Sequence, residues 1–96
     1  NLYHQKLLPL EKSGKLTLQT IPNGTTGNGH LFYIKLANTG QRQELQSFLK
    51  KNGVETAFHF QPLHLSSAGQ RYGRFAGKDK FTSVNSSRLL RLPIYV

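Results

Sequence analysis

The stretch "HLFYIKLA", residues 30–37, decides the fold because its side chains suit one kind of backbone. Successive residues of a strand point to opposite faces, so Phe32, Ile34 and Leu36 would share one face of an extended chain. Branched and aromatic residues, which favour strands, fill most of the stretch. The pattern predicts a central strand over residues 30–37, with these three side chains in the core.

The segment after this strand predicts a helix. In "TGQRQELQSFLKKNG", Leu45, Phe48 and Leu49 recur at helical spacing between strong helix formers. Two lysines occupy the last turn, where positive charge opposes the helix dipole, and a glycine follows. We predict a helix over residues 41–52 that packs on one face of the sheet. If Phe48 is buried there, its truncation to alanine would cost about 3–5 kcal/mol.

The next stretch, "VETAFHF" at residues 54–60, predicts a second strand, since its residues alternate between two faces. One face carries Val54, Thr56, Phe58 and Phe60. We therefore expect Phe58 to contribute to the core and His59 to face away from it.

Toward the N-terminus, four leucines at roughly helical spacing predict the end of a helix that Pro9 interrupts and Ser13-Gly14 terminates. Because the sequence starts with an asparagine within this helical pattern, we expect it to be a piece of a longer protein. A short strand or an extended stretch should follow within "LTLQTIP", residues 16–22. The next run, "GTTGNG" at residues 24–29, precedes a strand and lacks a following Lys-Ser/Thr, so it is interpreted as a turn rather than a phosphate loop.

Toward the C-terminus, residues 61–80 show little periodicity and predict a long connection. The stretch "TSVNSSRLLRLPIY" then predicts a short helix through Leu89 and Leu90 that stops at Pro93. Strand, helix and strand with helices at both ends predict an α/β (α+β) domain, a short sheet covered by helices on one face. The other face is then free to meet another domain.

Composition limits the possible functions. A chain of 96 residues is the size of one domain, and a net charge of +9 favours an anionic partner such as a nucleotide, a phosphate, nucleic acid or an acidic protein. Cysteine is absent, which excludes thiolate metal sites and thiol nucleophiles. Since no apolar run approaches the about 20 residues that cross a bilayer, we expect a cytoplasmic protein that does not enter the membrane.

The segment "FHFQPLH", residues 58–64, contains the candidate site residues His59 and His64. The two histidines could bind a metal, remain half-buried without a function, or line a pocket. Two imidazoles without a nearby carboxylate or thiolate are an incomplete ligand set for zinc, so we expect no metal. The pocket-lining interpretation is preferred.

A second candidate surface lies in "QRYGRFAGKDKF", where basic residues alternate with aromatic rings. This combination is typical of surfaces that bind single-stranded nucleic acid. No recognised RNA-binding signature accompanies it, so a basic module for nucleic acid or protein interaction is the alternative function and nucleic acid is not the expected partner.

Four stretches in this order, "GHLFYIKL", "FHFQPLH", "SSAGQRYGRFAGKDKFT" and "SSRLLRLPIY", closely resemble the C-terminal part of sugar aminotransferases of the DegT/DnrJ/EryC1/StrS family. The resemblance implies a fold-type-I enzyme, a homodimer whose large domain holds pyridoxal phosphate (PLP). It identifies residues 1–96 as the small C-terminal domain, without the large domain and without the family's last helix. The lysine that binds PLP would then lie outside this chain, which should bind no PLP and be inactive alone.

The resemblance also implies a reaction and a set of site residues. Such enzymes transfer an amino group from glutamate to a keto sugar linked to a nucleoside diphosphate. The segment equivalent to "FHFQPLH" lies beside the sugar, which makes His59 the first choice for a hydrogen bond to substrate, Phe60 a wall of the site and His64 a further candidate. Three arginines could meet the diphosphate or simply lie at the surface, and the sequence does not rank them: Arg71, Arg74 and Arg88.

Overall fold

The structure is a computed structural model that describes residues 2–94. Within this range four strands form one sheet in the order β1-β2-β4-β3, and each adjacent pair is antiparallel. The strands are β1 (Thr17–Leu18), β2 (Phe32–Lys35), β3 (Ala57–Phe58) and β4 (Leu89–Leu92). The helices are α1 (Leu2–Lys12), α2 (Thr39–Lys51), α3 (Ser67–Tyr72) and α4 (Thr82–Arg88), with a 3-10 turn at Leu63–Leu65. The predicted α/β class is confirmed.

The core lies on one face of the sheet, as the alternation in β2 predicts. Five side chains are buried there: Leu18, Phe32, Ile34, Leu36 and Leu90. From α1, the Tyr3 ring stacks on Phe32 with 5.1 Å between ring centroids, and α2 adds Leu45 and Leu49. Side chains at alternate positions of β2 and β4, such as Tyr33 and Arg91, lie on the opposite face and stay partly accessible.

Helix α2 nearly matches the predicted helix over residues 41–52, and its N-terminus is capped. Asn38 accepts a hydrogen bond from the backbone N–H of Gln41 at 2.9 Å, as a residue that begins a helix commonly does. The prediction that Phe48 is a core residue is wrong, since this side chain is 62% exposed. At about 100° per residue, Leu45 and Leu49 are adjacent on the helix surface, and Phe48 lies to one side of them, away from the sheet.

Strand β3 is shorter than the predicted strand over residues 54–60, and it lies at the edge of the sheet. Phe58 shares a face with Leu90, its partner in β4, yet it is 57% exposed, so its predicted place in the core is wrong. An edge strand has a neighbour on one side only, which leaves the outer flank of its side chains uncovered. Arg42 of α2 covers the Phe58 ring in part, with 5.6 Å from its guanidinium carbon to the ring centroid.

Strand β4 corrects the prediction of a helix through Leu89 and Leu90. Helix α4 ends at Arg88, and the chain then runs as a strand between β2 and β3, with Leu90 opposite both Ile34 and Phe58. Leucine is a good helix former, so local propensity favours a helix at this position. Pairing with strands far away in the sequence overrides that preference.

Two further differences concern helices. Helix α1 continues through Pro9 instead of being interrupted, and the Ser13 N–H still reaches the Pro9 carbonyl at 3.1 Å. The predicted connection over residues 61–80 contains the 3-10 turn and α3, which begins at a serine cap where Ser66 Oγ accepts from Gly69 N at 3.0 Å.

Among the helices described, none combines the length and apolar character that crossing a bilayer demands.

Candidate functional site

His59 lies directly after the edge strand β3 and is half-buried. Its Nδ1 atom is buried without a hydrogen-bond partner within residues 2–94. A buried polar atom without a partner typically costs about 1–3 kcal/mol, so such atoms are rare in folded proteins and call for an explanation. A group outside the described residues that hydrogen-bonds to Nδ1 would remove this cost.

Phe60 stands beside this histidine. The two rings meet edge-on with 5.5 Å between centroids, and Phe60 is 76% exposed. An exposed ring next to a half-buried imidazole combines an apolar surface with a polar group, as ligand sites do.

His64 has a separate set of neighbours, so closeness in sequence does not make the two histidines one site. It lies in the 3-10 turn, and its Nε2 is 2.7 Å from Asp79 Oδ2. The same carboxylate accepts hydrogen bonds from Ser83 N at 3.2 Å and from Ser83 Oγ. The Phe75 ring lies against the imidazole, with 4.4 Å between ring centroids.

These contacts determine the charge of Asp79. The hydroxyl of Ser83, the Ser83 backbone N–H and His64 all stabilise the ionised carboxylate and lower its pKa below the usual 3.8. Asp79 is therefore ionised at neutral pH, and a carboxylate can only accept hydrogen bonds.

A groove of about 270 Å³ lies beside His64. Arg74 and Phe75 line it, together with Gly69 and Gly73. A Cβ atom at Gly69 would lie 1.8 Å from the carbonyl oxygen of Leu63, so only glycine allows α3 to pack this closely on the 3-10 turn.

The three unranked arginines have different settings. Arg88 Nε donates to the Leu36 carbonyl at 2.6 Å and so holds β2 against the end of α4. Arg71 lies over the Tyr72 ring at 5.4 Å, and Arg74 lines the groove beside His64. Arg88 therefore has a structural role, whereas Arg74 shares a groove with a candidate site residue.

Sequence reasoning missed two further positions near the edge strand. Arg42 Nε and Thr56 Oγ1 are buried without hydrogen-bond partners within the described range. Their side chains lie on α2 and just before β3, where no motif marks them. Within residues 2–94 no group of three or more His, Asp or Glu side chains is arranged to hold a metal.

The sequence model of the DegT/DnrJ/EryC1/StrS aminotransferase family matches residues 1–96. The aminotransferase TlmJ from Streptoalloteichus hindustanus is similar in fold, with a TM-score of 0.74 and 23% identity over 94% of this chain and 24% of that one. A DegT DnrJ EryC1 StrS aminotransferase from Brucella abortus has a TM-score of 0.76 and 23% identity over 97% of this chain and 23% of that one. The chain thus spans about a quarter of the length of these two proteins.

The described residues do not form a site for a covalently held PLP. Seven of the eight lysines are exposed, and the half-buried one, Lys35, donates from Nζ to Asn85 Oδ1 at 3.2 Å. A lysine that binds such a cofactor needs a desolvated or charge-tuned setting. The seven exposed lysines lack burial, and Nζ of Lys35 is engaged by Asn85.

Proposed function

Because this chain belongs to the DegT/DnrJ/EryC1/StrS aminotransferase family, we propose that it is the small C-terminal domain of a PLP-dependent nucleotide-sugar aminotransferase. Two observations support the proposal: the family match extends over all 96 residues, and the fold is similar to that of about a quarter of each of two longer aminotransferases. The whole protein would bind PLP through residues outside this chain, as a homodimer in the cytoplasm.

The proposed reaction transfers an amino group from glutamate to a dTDP-4-keto-6-deoxy sugar. The product would be dTDP-4-amino-4,6-dideoxygalactose, a precursor of enterobacterial common antigen and related cell-surface polysaccharides. The sequence run from Phe58 to Thr82 supports this choice, because it resembles the corresponding run of the transaminase that makes this sugar. The charge of +9 suits an anionic nucleotide-sugar.

Among the residues of this chain, His59 gives the proposal its main support. Its buried Nδ1 lacks a hydrogen-bond partner within residues 2–94, and a sugar hydroxyl, or the sugar carbonyl when Nδ1 carries the proton, would supply one. Phe60 would form an apolar wall beside the same sugar, and His64 would contact substrate from the groove that it lines. PLP, when bound by the whole protein, supplies the electron sink for amino transfer, and residues of this chain orient the sugar.

A basic module for nucleic acid or protein interaction is not favoured. The family match accounts for the whole chain, and Phe75, one of the rings that suggested stacking on bases, lies against His64. A net charge of +9 would by itself produce weak binding to nucleic acid at low salt through counterion release, so such binding would not favour this alternative.

The proposed function predicts where PLP attaches. We expect the whole protein that carries this chain to convert glutamate and a dTDP-4-keto-6-deoxy sugar into 2-oxoglutarate and the 4-amino sugar. Borohydride reduction followed by peptide mapping should place PLP on a single lysine outside residues 1–96. A stoichiometric adduct on a lysine of this chain, or the absence of amino transfer from glutamate, would contradict the proposal.

Replacing His59 with asparagine should lower kcat/KM for the sugar substrate by about 10- to 100-fold, since one hydrogen bond to substrate contributes about 1–3 kcal/mol. PLP binding and the reaction with glutamate should be unchanged. His4→Asn, a change of an exposed histidine in α1, is the matched control and should leave kcat/KM as it is. His59→Ala removes both ring nitrogens, so unaltered kinetics in His59→Ala as well as in His59→Asn would show that this histidine does not contact the sugar.

A further inference from the structure

Asp79 is the centre of a small network that joins three parts of the chain. Its carboxylate interacts with His64 of the 3-10 turn and with both the N–H and the hydroxyl of Ser83 in α4. The pair of His64 and Asp79 closes a loop whose ends are 15 residues apart and which contains α3. Both side chains are largely shielded from solvent, with 17% and 22% of their surfaces accessible.

The network determines which nitrogen of His64 carries a proton. An ionised carboxylate can only accept hydrogen bonds, so the Nε2 atom that faces it must donate. A neutral imidazole has one N–H, and with the proton on Nε2 the Nδ1 atom is an acceptor. The Phe75 ring against the imidazole provides a second restraint, because it limits rotation of the histidine.

The other nitrogen remains free for a ligand. Within residues 2–94, Nδ1 of His64 makes no hydrogen bond. His64 also lines the groove of about 270 Å³ that Arg74 and Phe75 border. An imidazole with a fixed orientation and one free acceptor is suited to recognise a hydroxyl or ammonium group.

We propose that Asp79 is a positioning residue that holds His64 in the Nε2-protonated tautomer, so that Nδ1 accepts a hydrogen bond from a hydroxyl or amino group of the substrate. The substrate part of this proposal rests on the proposed function, whereas the tautomer does not. If His64 and Asp79 only tied the loop to α4, the contact between the two side chains would suffice. No particular group would then be needed at Nδ1 of His64.

The first test is spectroscopic and independent of activity. In the whole protein labelled with 15N-histidine, long-range 1H–15N correlation spectra above neutral pH should show His64 with a protonated Nε2 and an unprotonated Nδ1. His64→Gln assigns the signals. In Asp79→Asn the amide can also donate, so we expect a mixture of tautomers or the opposite one. A wild-type proton on Nδ1, or an unaltered tautomer in Asp79→Asn, would overturn the proposal.

Ser83→Ala tests whether the charge of Asp79 or the packing of the loop holds the imidazole of His64. It removes one donor to Asp79 and leaves the carboxylate in place, so the tautomer of His64 should persist even if the free energy of unfolding falls. Loss of the tautomer in Ser83→Ala would show that the loop's packing, and not the carboxylate, holds the imidazole, which would overturn the role given to Asp79.

The second test is kinetic. Asp79→Asn should lower kcat/KM for the nucleotide-sugar by about 10- to 100-fold, because the hydrogen bond to substrate is lost when Nδ1 of His64 no longer serves as an acceptor. The reaction with glutamate should be unaffected, and Glu44→Gln, the same chemical change at an exposed position of α2, should leave both reactions unchanged. A changed tautomer with unchanged sugar kinetics would overturn the substrate contact alone. If the wild-type protein does not transaminate, the proposed function fails while the tautomer is still measured.

Discussion

Replacing Phe32 with alanine should lower the free energy of unfolding by about 3–5 kcal/mol, the usual cost of truncating a buried aromatic side chain. Phe32 is 2% exposed in β2, which pairs with β1 on one side and β4 on the other. The change removes the ring that stacks on Tyr3 of α1 and leaves a cavity between this helix and the sheet. Urea unfolding of the wild-type and variant chains, followed by circular dichroism, measures the difference.

Phe48→Ala is the matched control, because the chemical change is identical and the side chain is mostly exposed. Its cost should stay below about 1 kcal/mol, as for surface positions in general. If both variants lost a similar free energy of unfolding, the described core would be wrong. In that core the aromatic side chain comes from β2 and not from the outer flank of α2.

Replacing Leu90 with proline should have an even larger effect, about 3–8 kcal/mol, which is the sum of a lost buried leucine and an unpaired ladder group. Leu90 is fully buried and lies in β4, between β2 and β3. Leu36 N donates to the Arg88 carbonyl at 3.0 Å, and hydrogen-bonded pairs recur at every second residue of an antiparallel ladder. The pair of Ile34 and Leu90 is therefore of the hydrogen-bonded kind, and proline removes its N–H donor.

Ser67→Pro is the control for the effect of proline itself. Ser67 is the first residue of α3, where proline is well tolerated, and Ser66 before it has φ −71° and ψ 157°, a conformation that a residue preceding proline adopts readily. We expect its free energy of unfolding to change by less than about 1 kcal/mol. If Leu90→Pro unfolds no more easily than Ser67→Pro, the central position of β4 is wrong.

The candidate site depends on the same sheet. Strand β3 presents His59 and Phe60 only because β4 holds β3 at the edge, with Ala57 opposite Arg91 and Phe58 opposite Leu90. Damage to β4 should therefore reduce both stability and any function of His59. The His59→Asn and Asp79→Asn variants alter polar groups without removing buried apolar volume, so their effects on sugar kinetics can be separated from unfolding.

The sequence by itself determined what depends on neighbouring residues. Alternation of side chains identified β2 and its buried face, and helix formers before a glycine identified α2. Four stretches in order carried the resemblance to the aminotransferase family that the family match supports, and one of them contains the candidate residues His59 and His64.

Only the tertiary structure decided what depends on residues far apart in the chain. Leucines in β4 favour a helix locally, and pairing with β2 and β3 makes them a strand. Phe48 is exposed because another flank of α2 meets the sheet. The partner of His64 lies 15 residues away and the carbonyl bound by Arg88 lies 52 residues away. The groups in these contacts meet only when the chain has folded, so no local sequence pattern predicts the contacts.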